Sequence, residues 1–179
     1  MSAIGIYLFR HVRTSQILVS WKRTLTPKHL EQIQNVTQRP PRLRKDLWKP
    51  LVAAVGLEDQ TARGLCQSIL RVPATGPSDP EAFMKQPKKT RALQELDQTD
   101  DKVAALCKVL AHWQAKGKGR GREAPPVALY WDRLAYKDIP AERGLAWPDF
   151  VSHHALELRR GRLITNEELN TQSTVQKTA

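Results

Sequence analysis

The pattern of hydrophobic residues predicts β-strands in four segments of the chain. Residues 4–9 are apolar or aromatic on both faces, which predicts a central strand over 4–11, and residues 16–21 predict its partner across a short hairpin turn. Apolar runs at 51–55 and 127–131 predict a third and a fourth strand. The pattern therefore indicates a small β-sheet opened by an N-terminal hairpin.

Apolar residues recur at helical spacing in four other segments. Thr26 and Pro27 supply an N-cap and an N1 proline for the first, which Pro40 must terminate. The other three have apolar faces formed by Ala62, Leu65, Cys66, Ile69 and Leu70, by Val103, Leu106, Cys107 and Leu110, and by Phe150, Val151, His154, Ala155 and Leu158. The predicted class is α+β, with three to four amphipathic helices packed on the sheet and basic extended loops between them.

The length of 179 residues suits a single hydrophobic core. We predict one nucleic-acid-binding domain over residues 1–164 and a polar C-terminal tail at 165–179. Proline and charge in residues 72–98 predict a long loop insertion, and glycines alternating with cations predict a basic linker at 116–125.

Positive charge is concentrated in the first part of the chain. The net charge is +11 and the sequence pI about 10.0, so a polyanion is the expected partner. Residues 1–50 carry ten Lys and Arg against two acids, a net charge of +8. The candidate nucleic-acid-binding residues are Arg10, Arg13, Arg42, Arg44, Lys45, Trp48, Lys49, Lys116, Lys118, Arg120 and Arg122.

The basic segment at residues 42–49 holds four cations and one acid, Asp46. A solvated charged face is the alternative interpretation, but such faces usually alternate in sign and this segment does not. Asp46 is expected either to orient a neighbouring arginine or to cap the next turn. Trp48 and Trp131 are either base-stacking residues or core residues, and the cations at 116–122 either follow a phosphate path or belong to a plain linker.

Motifs for catalysis and metal binding are missing from the sequence. It has no GxxxxGK[ST], GxGxxG, GxSxG or HExxH pattern and no Cys/His ligand spacing, so we expect no enzyme, no metal and no cofactor. Cys66 and Cys107 are expected to be buried small hydrophobes. His153 and His154 should point about 100° apart on a helix and share no site. No apolar run is long enough to predict a membrane span.

The start of the hairpin, Gly5-Ile6-Tyr7 followed by Ile17-Leu18-Val19-Ser20, resembles the first half of the GIY-YIG nuclease hairpin. The second tyrosine of that motif is missing. The resemblance therefore leaves open a degenerate, non-catalytic version of the hairpin.

A broader resemblance covers most of the chain. It is carried by Gly5-Ile6-Tyr7-Leu8-Phe9-Arg10, Gln16-Ile17-Leu18-Val19-Ser20, Leu43-Arg44-Lys45-Asp46-Leu47-Trp48-Lys49 and Leu129-Tyr130-Trp131-Asp132, which resemble the fungal mitochondrial homologous-recombination protein 1 family. The resemblance implies binding to ribosomal RNA beside neighbouring proteins of the mitochondrial large ribosomal subunit. It also implies an alternative role in mitochondrial DNA maintenance, namely ATP-independent pairing of homologous single- and double-stranded DNA, with transcription regulation.

The resemblance implies a location in the mitochondrial matrix, with the nucleus as a second expectation. The first acidic residue is Glu31, and such an acid-free, Arg- and Ser-containing start is typical of a transit peptide. The strand predicted at 4–11 argues against its removal.

Overall fold

A mixed five-stranded sheet organises the fold. Its strands in chain order are β1 (Gly5–His11), β2 (Ile17–Ser20), β3 (Trp48–Val55), β4 (Val127–Trp131) and β5 (Val151–Ala155). They lie in the order β2-β1-β3-β4-β5, with antiparallel neighbours except for the parallel pair β4 and β5. The predicted N-terminal hairpin and the first four strands are confirmed.

The computed structural model describes residues 5–76, 79–119, 124–159 and 162–164. Its helices are α1 (Asp59–Arg71), α2 (Pro80–Lys85), α3 (Lys88–Leu96), α4 (Thr99–Lys118) and α5 (Ile139–Glu142). A small separate hairpin consists of β6 (Glu157–Arg159) and β7 (Arg162–Ile164). A small sheet packed with helices confirms the α+β class.

Helices α1 and α4 cover one face of the sheet. Their apolar stripes bury Leu65, Ile69 and Leu106 against strand residues such as Leu8 and Leu129. Burying each such side chain contributes on the order of 1.5–3 kcal/mol. Cys66 and Cys107 lie within the same stripes and are buried, as predicted, and burial raises the pKa of their thiols to about 12 and about 11.

The opposite face of the sheet is covered by the chain between β2 and β3. Leu25, Leu30 and Ile33 pack there on Tyr7 and Leu18. The amphipathic helix predicted to start at Pro27 and to end before Pro40 was wrong, because residues 27–39 form two short 3-10 helices instead, Pro27–Gln32 and Val36–Gln38.

Side chains take over the hydrogen bonds that a longer helix would have used in this segment. The Arg39 guanidinium donates twice to the carbonyl oxygen of Ile33, from Nε at 3.0 Å and from Nη2 at 2.8 Å. Ile33 itself is extended. At three residues per turn, the chain therefore leaves the helical path after about two turns.

The segment 72–98 was predicted to be a long loop, and this was wrong, because it contains α2 and α3. Helix α2 begins at a local cap, since Asp79 accepts a hydrogen bond from the Ala82 nitrogen at 3.0 Å and Pro80 stands in the first turn. No residue of either helix is buried. Local capping thus starts α2, and both helices form without the buried apolar face that is typical of a core helix.

The helix predicted after Trp147 was also wrong, because residues 151–155 form β5. The Val127 nitrogen donates to the Phe150 carbonyl oxygen at 3.0 Å, and the Leu156 nitrogen donates to that of Trp131 at 2.7 Å. Parallel pairing with the open edge of β4 therefore makes residues 151–155 a strand, although their apolar residues have helical spacing.

Candidate nucleic-acid interface

The hairpin turn and the basic segment 42–49 meet at one end of the sheet. The Val12 nitrogen donates to the Leu47 carbonyl oxygen at 2.9 Å, which ties the β1–β2 turn to the 3-10 helix Lys45–Leu47. Six of the candidate nucleic-acid-binding residues therefore belong to this region, which we call the basic end: Arg10, Arg13, Arg42, Arg44, Lys45 and Lys49.

Within the basic end, Arg10 on β1 and Lys49 on β3 are directly paired across the sheet. The β-carbons of such cross-strand neighbours usually lie about 4.5–5.5 Å apart, and like charges at that spacing are destabilising. Lys49 is exposed and Arg10 is partly exposed, and neither forms an ion pair with another described residue. A bound polyanion would remove this repulsion.

Asp46 forms an ion pair with its neighbour Arg44. Arg44 Nη2 lies 2.7 Å from Asp46 Oδ2, and both side chains are exposed. Hydrogen bonding to Arg44 lowers the pKa of Asp46, and the same bond raises the pKa of Arg44. The prediction that Asp46 orients a neighbouring arginine is confirmed. Arg44 is consequently the most neutralised cation of the basic end.

Trp48 is a core residue, so its assignment as a base-stacking residue was wrong. Its side chain is 5% exposed and lies edge-on to His11, with ring centroids 5.0 Å apart. Trp131 is also buried. Both tryptophans sit on strands whose two faces are covered, which leaves neither ring available to a base.

The lysines near residue 116 belong to a different part of the molecule. The basic linker was predicted to start at 116, but α4 continues through Gly117 to Lys118. The Gln98 nitrogen, just before α4, donates to the Ser15 carbonyl oxygen in the hairpin turn. Lys116 therefore lies about 27 Å along the helix from that turn, at 1.5 Å per residue. The Lys118 side chain, Arg120 and Arg122 lie outside the described residues.

A second basic surface was missed by the sequence reasoning. Lys108, His112 and Lys116 follow one another at four-residue spacing along one line of α4. With Arg71 of α1 they line a cleft between these two helices. The four-residue spacing is the signal that was available, but only the position of α1 beside α4 turns the line into the edge of a cleft.

The two adjacent histidines lie on opposite faces of the sheet. His153 Nδ1 accepts a hydrogen bond from Trp131 Nε1 at 3.0 Å, whereas the His154 ring stacks on Tyr130 with centroids 5.2 Å apart. They were predicted on a helix, but strand alternation separates them. Among the described residues, no group of three His, Cys, Asp or Glu side chains is placed to hold a metal. None of the described helices has the length and apolar character of a membrane span.

The fold and the basic end define a basic α+β protein with a surface suited to a polyanion. Residues 3–71 match the family model Mhr1, described as transcriptional regulation of mitochondrial recombination. No curated protein is similar enough to the chain to count as a relative.

The matched region runs from the start of the sheet to the end of α1 and contains the whole basic end. It supports the resemblance drawn from the hairpin and from residues 43–49. The family description names recombination and transcription, so it favours the DNA-maintenance alternative over the ribosomal role. Binding within the large ribosomal subunit stays a prediction.

Proposed function

We propose that this chain is a mitochondrial DNA-binding protein that pairs homologous strands in recombination without ATP and also regulates transcription. The description of the matched family supports this role and the mitochondrial location. The observation that carries the proposal is the Arg10–Lys49 pair, two cations held side by side at the basic end with no acidic partner among the described residues.

Phosphate contacts suit a protein that must pair strands of any sequence. Cations that touch only the backbone carry no sequence information, so base pairing between the two DNA strands decides which strands join. The free energy of pairing then comes from the new duplex, and the protein needs only to bring two polyanions together. In this proposal the protein is not an enzyme. The burial of Tyr7, which is 1% exposed, fits a degenerate nuclease hairpin.

The proposal predicts how steeply the affinity for DNA falls as the salt concentration rises. Arg44 is paired with Asp46, which leaves Arg10, Arg13, Arg42, Lys45 and Lys49 to neutralise phosphates. If all five make contacts, log K should fall against log salt with a slope of about −4.5 on duplex DNA and about −3.5 on single strands.

The test is strand annealing without ATP. Labelled complementary oligonucleotides are mixed with the full chain and joint molecules are measured over time, beside binding to a folded ribosomal RNA fragment. The variant replaces Arg13, Arg42 and Lys45 with alanine. The matched control replaces Lys85, Lys88 and Lys89 with alanine, which removes the same charge from exposed positions on α2 and α3.

We expect the full chain to accelerate annealing, the basic-end variant to lose at least about tenfold in DNA affinity, and the control to keep its activity. Annealing that is insensitive to the basic-end variant would contradict the proposal. Tight binding to the RNA fragment without DNA annealing would instead support the ribosomal role.

A further inference from the structure

The cleft between α1 and α4 is not used by the basic end. It has a volume of about 700 Å³, and its apolar lining includes Leu65, Val109 and Trp113. Gly64 lies in its α1 wall, where an added β-carbon would meet no atom within 4 Å. The cleft is therefore open above Gly64 and has an apolar interior.

The charges around the cleft have one sign. Lys108, His112 and Lys116 are exposed along its α4 edge and Arg71 is exposed on its α1 side. The α4 residues span about 12 Å at 1.5 Å per residue. No acidic side chain is among the described residues that line the cleft, and none of these four basic residues forms an ion pair with another described residue.

The interior of the cleft favours a protein partner over a nucleic acid. Single strands bind where bases stack on aromatic rings. Trp113 is the one Trp, Tyr or Phe among the described lining, and its ring already packs edge-on to Phe150 with centroids 5.7 Å apart. The remaining apolar lining includes Leu65, Val72 and Val109, which suits aliphatic side chains.

We propose that this cleft is a docking site for an acidic amphipathic helix of a partner protein. Apolar residues of that helix at positions i, i+3 or i+4, and i+7 enter the cleft, as in other helix-in-groove complexes. Its flanking carboxylates meet the line of Lys108, His112 and Lys116. The missing side chain at Gly64 allows the partner helix to approach α1 closely. The proposal stands independently of DNA binding, because the basic end lies elsewhere.

The test uses three labelled probes with the full chain. The first is a helical peptide with leucines at the i, i+3, i+4, i+7 positions flanked by glutamates, the second has lysines in place of the glutamates, and the third is oligothymidine. Fluorescence anisotropy measures each affinity at several salt concentrations. Circular dichroism checks that each variant keeps its fold.

Two variants address the two features of the site. Gly64→Leu fills the cleft, and its matched control is Gly64→Ala, which adds only a β-carbon. Lys108→Glu with Lys116→Glu reverses the edge charge, and its control is Lys85→Glu with Lys89→Glu on α2 and α3.

We expect the acidic peptide to bind and the lysine peptide to bind at least about tenfold more weakly, since charge complementarity selects the partner. Gly64→Leu should abolish binding of the acidic peptide and the Gly64→Ala control should retain it. The Lys108→Glu, Lys116→Glu variant should reverse the preference between the two peptides, so that the lysine peptide binds more tightly than the acidic one. This reversal remains measurable if Gly64→Leu fails to fold.

Equal affinity for both peptides would overturn the proposal. So would oligothymidine binding that is lost in the charge-reversed cleft variant, because the cleft would then hold a nucleic acid. Peptide binding that appears only in a variant ending at Ile164 would assign the cleft to the chain's own C-terminal residues. Concentration-dependent dimerisation abolished by Gly64→Leu would assign it to a second copy.

Discussion

The side-chain amide of Gln32 hydrogen-bonds both backbone groups of Val19, with Oε1 2.8 Å from the Val19 nitrogen and Nε2 2.7 Å from its carbonyl oxygen. Val19 lies in β2, an edge strand of the five-stranded sheet. Gln98 Oε1 accepts from the Ile17 nitrogen in the same strand at 3.0 Å. Two glutamines thus occupy backbone groups that an added strand would need, and so protect the edge from further pairing.

Replacing Gln32 with alanine should lower the free energy of unfolding by about 1–3 kcal/mol, because partly buried backbone groups lose their partners. It should also promote association through the freed edge. Urea denaturation and light scattering measure the two effects. Gln34→Ala is the control, since Gln34 is exposed. An unchanged unfolding midpoint for Gln32→Ala would show that water replaces the amide at no cost.

The Arg10–Lys49 pair is expected to lower the stability of the folded chain and to strengthen its binding to DNA. Arg10→Gln should raise the free energy of unfolding by about 0.2–1 kcal/mol, because it removes a like charge from a cross-strand pair. The same change should make the salt slope on duplex DNA shallower by about 0.9, the contribution of one phosphate contact.

A double variant tests whether the two cations act on each other. Adding Lys49→Gln to Arg10→Gln should give no further gain in stability, since the repulsion has already gone. Unfolding curves at low and high salt measure this, and the gain should shrink as salt screens the charges. Loss of stability on Arg10→Gln, with an unchanged salt slope, would show that Arg10 serves packing instead of phosphate binding.

The strands that could be predicted from the sequence are those whose apolar faces are the faces that the rest of the fold covers. Strands β1 and β4 are apolar on both faces, and both faces are in fact covered. Residues 27–38 and 151–155 were wrongly predicted to be helices, because their conformations depend on partners outside each segment. The first segment is directed by Arg39 and by the edge of β2, and the second by pairing with β4.

The basic site was predicted where it is contiguous in sequence. Residues 42–49 are a visible cluster of charge, but the cross-strand pairing that brings Lys49 beside Arg10 depends on the register of β1 and β3. Trp48 was misassigned for the same reason, since only the packing of the strand against His11 shows that its ring is covered. The cleft depends on how far apart α1 and α4 pack, which no local pattern encodes.

Acidification should destabilise the hairpin turn through His11. Burial and then the charge of Arg13 lower the pKa of His11 from its ordinary value of 6.5. Its Nδ1 lies 3.2 Å from the Thr14 nitrogen, which donates to it, and 3.0 Å from the Thr14 hydroxyl oxygen. The neutral ring is therefore the form that holds the turn carrying Arg13.

The sign of the pH dependence follows from the lowered pKa. The unfolded chain takes up a proton near pH 6.5, whereas folded His11 does so only at lower pH. The free energy of unfolding is thus constant for this group above about pH 6.5 and falls as the pH drops below it. Burial lowers the pKa of His153 too, so it adds in the same direction.

Urea denaturation from pH 7.5 to 5 checks this prediction. His11→Gln with His153→Gln keeps a polar side chain at both positions but removes the titration, so the fall below about pH 6.5 should become shallower. A His112→Gln variant, at an exposed position, controls for the loss of a histidine side chain as such. An equally steep fall in the double variant would place the titration on other groups.

Two glycines should respond in opposite directions to the same added methyl group. Gly64 lies in the middle of α1 with open space around its β-carbon position, so Gly64→Ala should raise the free energy of unfolding by about 1 kcal/mol through helix propensity. At Gly5 an added β-carbon would clash with the backbone carbonyl oxygen of Ala54 on β3. Gly5→Ala must therefore push β1 from β3 and should cost at least about 1–3 kcal/mol, as overpacking does. Thermal and urea unfolding of both variants measure these shifts, and equal effects of the two substitutions would contradict the close approach of β1 and β3 at Gly5.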